Sequence, residues 1–138
     1  MTPDAVAELA HLRRARDLID RDYASPLDVP AMAEVAAMSP AHFSRRFRDV
    51  YGETPYSYLM TRRIERAQEL LRNGSTVTDA CMAVGATSLG SFSSKFTEIT
   101  GTTPSAYRAL DHRHLEVVPP CIVKEQLRPR RERSAAPR

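Results

Sequence analysis

The sequence predicts an all-α fold of about seven helices, organised as two homeodomain-like helix-turn-helix subdomains that are joined by a linker helix. Apolar residues recur every three or four positions along most of the chain. No comparable stretch alternates with the period of two that is typical of a β-strand. One motif occurs twice, and proline and glycine residues divide the chain into helix-sized segments.

The first three helices are predicted over residues 3–23, 28–37 and 40–51. Each follows a residue whose side chain can cap a helix, and each has a proline in its first turn. The capping residues are Thr2, Asp28 and Ser39. The apolar stripes are Leu9, Leu12, Ile19 and Tyr23; Met32, Val35 and Ala36; and Phe43, Phe47 and Val50. We expect these stripes to be the buried faces.

The linker helix is predicted over residues 55–72, and three further helices over 76–84, 89–100 and 104–111. Their starts are marked by a Thr-Pro pair, a possible capping box, a serine and a second Thr-Pro pair. Glycines mark the ends of the third, fourth and sixth helices, at Gly52, Gly74 and Gly101. The stripes are Leu59, Met60, Ile64, Ala67, Leu70 and Leu71; Val77, Ala80, Cys81 and Val84; Phe92, Phe96 and Ile99; and Tyr107 and Leu110.

An internal repeat relates the two halves of the chain. Ser39, Phe43, Phe47, Gly52, Pro55 and Tyr58 recur 49 residues later as Ser88, Phe92, Phe96, Gly101, Pro104 and Tyr107. In each copy a short alanine-rich helix and a short turn precede the motif, which is the pattern of a helix-turn-helix. Because phenylalanines four apart lie on one helical face, they mark the buried side, and any function belongs to the opposite side.

The linker helix and the second repeat resemble a known family. The resemblance rests on Pro55, Tyr58, Leu59, Arg63, Ile64, Ala67, Leu70 and Leu71, and on Val77, Asp79, Gly85, Ser88, Phe92, Phe96, Gly101, Pro104, Tyr107 and Arg108. These residues resemble the DNA-binding domain of the AraC/XylS transcription regulators, over about Leu9 to Arg108. The chain departs from the family pattern at Gly85-Ala86, where Gly-Phe is usual, and at Ala80-Cys81. The resemblance is to the small, stand-alone members, and it implies a structural role for Arg63.

The helix over residues 40–51 is expected to enter the major groove of DNA, because the second helix of a helix-turn-helix does so. Its predicted base contacts are Ala41, Ser44 and Arg45, which correspond to base-contacting positions of the family. Arginine is the strongest base reader because its guanidinium forks onto guanine O6 and N7. The predicted phosphate contacts on this helix are His42, Arg46 and Arg48. The alternative is that these arginines form only a solvated charged face.

The corresponding helix over residues 89–100 offers fewer specific groups. Its predicted base contacts are Leu89, Gly90, Ser91 and Ser94, and its predicted phosphate contact is Lys95. We therefore expect this helix mainly to position the protein. On the linker helix, Arg62 and Arg66 either contact phosphates or pair with Glu65 and Glu69, and the sequence leaves both open.

Composition limits the alternatives. The 138 residues include 20 Lys+Arg and 17 Asp+Glu, giving a net charge of +3 that comes from residues 116–138, which are predicted to be a disordered basic tail. The amino-terminal residues do not resemble a signal peptide, and no apolar run would span a membrane. Cys81 is expected to be a small buried hydrophobe, and His112, His114 and Cys121 lack the spacing of a metal site. No catalytic motif is present, so we expect no enzyme, no metal and no cofactor.

The sequence therefore predicts a cytoplasmic, nucleoid-associated bacterial transcription regulator. It is expected to act as a monomer on double-stranded DNA, reading an asymmetric site with two recognition helices in successive major-groove segments, and to contact RNA polymerase. The predicted segments are a first subdomain over 1–54, the linker helix over 55–73, a second subdomain over 74–115 and the tail over 116–138. The alternative is an interaction protein that kept the fold but binds RNA polymerase or another regulator without reading DNA.

Overall fold

A computed structural model describes residues 2–110, and within that range the fold is all-α, as predicted. The helices are α1 (Pro3–Asp22), α2 (Val29–Val35), α3 (Pro40–Tyr51), α4 (Pro55–Arg72), α5 (Val77–Ala83), α6 (Leu89–Thr100) and α7 (Pro104–Ala109). The predicted tail and the candidate metal residues His112, His114 and Cys121 lie outside the described residues. The chain forms two compact units, the first ending at Arg63 and the second beginning at Ile64, so the division falls within α4. The predicted segment boundaries stay a prediction.

The predicted caps are present at the helix starts. The Thr2 and Ser39 hydroxyls accept hydrogen bonds from the backbone N–H groups of Ala5 and His42, at 3.1 and 3.3 Å. The α3 and α6 helices both end at a glycine with a φ of 84°, a conformation that favours a residue without a Cβ atom.

The turns of the two helix-turn-helix motifs share one backbone geometry. In the first turn Ala37 has a φ of 56°, and the N–H of Met38 donates to the carbonyl of Ala33 at 3.0 Å. In the second turn Gly85 has a φ of 85°, and the N–H of Ala86 donates to the carbonyl of Cys81 at 3.1 Å. Both are Schellman-type ends. They end α2 and α5 before the predicted limits of residues 37 and 84, because the left-handed residue stops each helix.

The core of the first unit lies between α1, α2 and α3 and the start of α4. Its buried residues are Leu12, Ala15, Ile19, Met32, Ala33, Ala36, Phe43, Phe47 and Leu59. The Phe47 ring contacts those of Phe43 and Tyr58, with centroids 5.6 and 5.7 Å apart. The prediction was wrong for Val35 and Val50, which are 39% and 37% exposed. On α2 Ala33 lies in the core, and on α3 Tyr51 packs against it. Both valines therefore lie at the edge of the apolar stripe of their helix.

Polar contacts also fix α1 and the following loop in the first unit. The Arg63 guanidinium donates to the carbonyl oxygens of Tyr23 and Ser25, at 2.7 and 2.9 Å, which confirms its structural role. The Tyr58 hydroxyl donates to a carboxylate oxygen of Asp20 at 2.6 Å. Desolvation and this carboxylate raise the pKa of Tyr58, so the hydroxyl remains a hydrogen-bond donor. The two Arg63 bonds satisfy carbonyl groups of the segment that leads into α2.

The second unit repeats the ring arrangement of the first. Phe96 and Tyr107 lie edge to face with centroids 5.7 Å apart, the same separation as Phe47 and Tyr58. Cys81 is 4% exposed, which confirms it as a buried hydrophobe. Leu110 was predicted to line a buried face but is 56% exposed, because α7 ends at Ala109 and the chain leaves the helix.

Candidate nucleic-acid interface

The outer face of α3 is defined by its buried face. Because Phe43 and Phe47 are fully buried, the side chains on the opposite side of the helix point to solvent. Ala41, Arg45 and Arg48 are exposed there, and Ser44 is half-buried. The structure therefore brings the three predicted base contacts and Arg48 to one accessible helical surface.

Arg45 and Arg48 differ from Arg46, the other arginine of α3, because their side chains have no partner among the described residues. Within residues 2–110, no hydrogen bond or ion pair engages either side chain. No acceptor among residues 2–110 therefore uses the N–H donors of either guanidinium group, and these donors are available to an external acceptor. Two such groups three residues apart on one helical face suit either a guanine edge or a phosphate.

His42 and Arg46 lie on a flank of α3 that faces α1. A Glu8 oxygen lies 3.2 Å from Nε2 of His42, and the other accepts from Nε of Arg46 at 2.9 Å. The second side of the Arg46 guanidinium donates from Nη1 to Asp49 at 3.0 Å. The hydrogen bond from Arg46 is the main cause that lowers the pKa of Glu8. Both predicted phosphate contacts are therefore already paired with a carboxylate.

The outer face of α6 is equally accessible but carries little charge. Phe92, Phe96 and Ile99 are buried, while Leu89 is 48% exposed. Gly90, Ser91 and Ser94 are exposed. The predicted base contacts are thus on the outer side of α6, and none has a guanidinium group. The remaining cation, Lys95, lies half-buried with its Nζ 3.3 Å from a carboxylate oxygen of Glu98.

Two of the arginines of α4, Arg62 and Arg66, are each paired with a carboxylate, one on another helix and one on α4 itself. Arg66 forms an ion pair with Glu69 one turn along the helix, which is one of the two alternatives left open by the sequence. Nε of Arg62 lies 3.3 Å from a carboxylate oxygen of Asp20 on α1, a partner that no helical spacing in the sequence indicates. Such pairs are weak at the surface and do not by themselves prevent a phosphate contact.

Sequence reasoning missed Glu8 and Asp20, the two acids of α1 that pair with basic residues of α3 and α4. Glu8 lies 34 and 38 residues from its partners, so neither a helical spacing nor a motif connects them. The position of Glu8 four residues before Leu12 places it near the buried side of α1 but does not indicate its partners.

Other kinds of site find no support in the described part of the chain. Across residues 2–110 there is no group of three or more His, Cys, Asp and Glu side chains that would hold a metal ion. No helix in that range has both the length and the apolar character that a membrane crossing requires.

Comparison with known proteins identifies the family and the fold. A helix-turn-helix domain profile matches residues 32–110, more than half of the chain. The chain belongs to the AraC/XylS family. It is 37% identical over 81 residues to the RCS-specific HTH-type transcriptional activator RclR of Escherichia coli K12, covering 58% of this chain and 28% of RclR.

Two further relatives extend the comparison. The chain is 32% identical over 84 residues to the bifunctional transcriptional activator/DNA repair enzyme Ada of Escherichia coli K12, covering 61% of this chain and 24% of Ada. The DNA-binding domain of AdpA, a global transcriptional factor, was solved in complex with a target DNA. It superimposes with a TM-score of 0.71 at 29% identity, over 77% of this chain and 96% of that domain. The chain thus spans about a quarter of RclR and Ada but nearly the whole AdpA domain.

Proposed function

We propose that the protein is a sequence-specific DNA-binding transcription regulator that inserts α3 into the major groove. The observation that supports it most is the pair of exposed guanidinium groups of Arg45 and Arg48, which have no partner among residues 2–110. An exposed cation that has no internal partner is available to a phosphate or a base edge without first breaking an ion pair. The AdpA domain, which shares the fold, was solved bound to DNA.

On α3 we assign base reading to Ala41, Ser44 and Arg45. Arg45 supplies the forked contact that guanine accepts, Ser44 donates or accepts one hydrogen bond, and the Ala41 methyl group suits a thymine methyl. Phosphate contact is assigned to Arg48 without rearrangement. His42 and Arg46 are assigned to phosphate only after they leave Glu8.

On α6 the proposed base contacts are Leu89, Gly90, Ser91 and Ser94, with Lys95 at a phosphate. Leucine reaches at most a thymine methyl and serine bonds several bases, so this helix contributes affinity more than discrimination. The proposed phosphate contacts of α4 are Arg62 and Arg66. Because α3 and α6 differ in sequence within one chain, a monomer would read two unlike major-groove segments, and the DNA site would be asymmetric.

The wider setting is also part of the proposal. RclR and Ada are named as transcriptional activators, which supports RNA polymerase as a partner and a cytoplasmic, nucleoid-associated protein. We propose that the chain is not an enzyme and uses no cofactor. Although Ada is named as bifunctional, the similarity covers only 24% of it. The alternative of an interaction protein that does not read DNA finds no favouring observation beyond the modest chemistry of α6.

Selection of duplexes from a random library by the purified chain, at a stated salt concentration, tests the proposal. Enrichment of one asymmetric site, bound at least about 10³-fold more tightly than random duplex, would support a sequence-specific regulator. Electrostatic binding with no enrichment would contradict it, because phosphate contacts alone do not discriminate sequence.

A further inference from the structure

Glu8 places its carboxylate against His42 and Arg46, the two α3 residues whose proposed phosphate contacts require rearrangement. We propose that Glu8 is an intramolecular competitor for phosphate, which occupies N–H groups of His42 and Arg46 and thereby lowers the affinity of α3 for any duplex. The inference deepens the proposed function and rests on it. It gives α1 a role in DNA binding that is separate from its role in the core.

The distances support the competition. Nε of Arg46 donates to Glu8 at 2.9 Å and Nη1 donates to Asp49 at 3.0 Å. Two different carboxylates therefore accept from the Arg46 guanidinium. Carboxylate and phosphate oxygens accept from guanidinium in the same forked geometry, so one anion replaces the other at the same N–H groups. A phosphate would bind Arg46 fully only after one of the carboxylates has moved away.

The charge of this flank supports it as well. Glu8, Arg46 and Asp49 combine two carboxylates with one guanidinium, so these three side chains together carry a net negative charge. Arg45 and Arg48, on the outer face, have no such compensation among residues 2–110. The flank therefore repels phosphate while the centre of the helix attracts it, and removal of the Glu8 charge would leave the flank neutral and so weaken the repulsion.

The pair is accessible enough to exchange partners. The side chains of Glu8 and Arg46 are 25% and 34% exposed, so a phosphate can approach from solvent without unfolding of the core. The bonds are also local to α1 and α3, and the buried residues Leu12 and Phe43 hold these helices together independently. Neutralising Glu8 should therefore leave the fold intact.

The test compares Glu8→Gln with Asp17→Asn, a variant that removes the same charge from an exposed position of α1 whose side chain has no partner among residues 2–110. The dissociation constant for a random-sequence duplex is measured from about 50 to 200 mM salt, with helicity and thermal unfolding as fold controls. Glu8→Gln is expected to bind random duplex several-fold more tightly and to steepen the logarithmic salt slope by about 0.9 for each phosphate gained. Asp17→Asn is expected to change both far less.

A double-mutant comparison isolates the contact. In an Arg46→Ala, His42→Ala background, Glu8→Gln is expected to have no more effect than Asp17→Asn, because the released N–H groups are absent. If Glu8→Gln proves unfolded, Glu8→Asp, which retracts the carboxylate by one methylene, replaces it with the same expected direction.

Three results would overturn the inference: equal effects of Glu8→Gln and Asp17→Asn, an effect of Glu8→Gln that persists in the double background, or weaker binding by Glu8→Gln. Weaker binding would mean that Glu8 orients Arg46 toward the phosphate instead of competing for it. Failure of the proposed function gives a different result, namely no preference of the wild-type chain for any selected site. The random duplex still measures the effect of Glu8 in that case.

Discussion

The turns before α3 and α6 predict changes in stability of opposite sign for substitutions at two equivalent positions. Ala37 has a φ of 56° and Gly85 has a φ of 85°, and both end a helix in the same hydrogen-bonded turn. Ala37 pays the steric cost of the left-handed region, about 1–2 kcal/mol for a residue with a Cβ atom, whereas glycine avoids it. Ala37→Gly should remove that cost, and Gly85→Ala should introduce it.

The net magnitudes follow from the unfolded state as well. Glycine gains chain entropy on unfolding, which offsets about 0.4–1 kcal/mol of the steric difference. We therefore expect Ala37→Gly to stabilise the chain by about 0.5–1 kcal/mol and Gly85→Ala to destabilise it by a similar amount. For a chain of this size that corresponds to about 2–6 °C in the midpoint of thermal unfolding.

Thermal and urea unfolding followed by circular dichroism measures both variants. Ala36→Gly is a matched control for the first turn, because Ala36 is a fully buried residue in the right-handed region and its replacement should destabilise. Destabilisation by Ala37→Gly, or no loss of stability in Gly85→Ala, would refute the argument that the left-handed residue determines both turns.

The remaining predictions concern other contacts. Arg63→Ala removes the guanidinium hydrogen bonds to two loop carbonyls and should destabilise the chain by about 1.5–3 kcal/mol in urea unfolding, whereas Arg13→Ala, at an exposed position, should change stability little. Joint replacement of Ser91 and Ser94 by alanine should weaken binding by a similar factor on all duplexes, and a scan of base pairs should find the α6 half-site less stringent than the α3 half-site. Truncation after Leu115 removes six basic and three acidic residues. It should therefore flatten the salt dependence of DNA binding, measured by titration. The pKa of Glu8 is lowered from its ordinary value of 4.5, so its ion pairs stabilise the folded chain fully above pH 4.5. This stabilisation is lost as the pH falls through the lowered pKa. Glu8→Gln should therefore flatten the acid limb of a curve of unfolding free energy against pH.

The repeated motif made most of the fold predictable from the sequence. The Ser-Phe-Phe-Gly-Pro-Tyr spacing predicted the bounds of α3 and α6 and the start of α4, because cap, apolar stripe and terminating glycine agree for α3 and α6. The left-handed Ala37 was not predictable, since alanine carries no signal for a positive φ and the turn is specified by the bonds around it. Val35 and Val50 were misplaced because a periodicity of three or four leaves the centre of a buried face uncertain by about one residue width.

The candidate site was predictable only in part. The outward positions of α3 and α6 follow from the phenylalanines on their opposite faces, so helical geometry places Arg45 and Ser91 correctly on the surface. The pairing of His42, Arg46 and Arg62 was not predictable, because their acidic partners lie on α1 and meet them only after tertiary packing. A count of basic residues therefore overstates the positive charge that α3 presents to DNA.

Reading of DNA bases by α3 is tested most directly at Arg45. The site selected by the wild-type chain is altered one base pair at a time, and binding of the wild type, Arg45→Ala and the charge control Arg13→Ala is measured at one salt concentration. The account predicts that Arg45→Ala loses about 1–3 kcal/mol of discrimination at a single position and keeps the wild-type preferences elsewhere, while Arg13→Ala keeps them all. An unchanged base preference in Arg45→Ala at every position would contradict it.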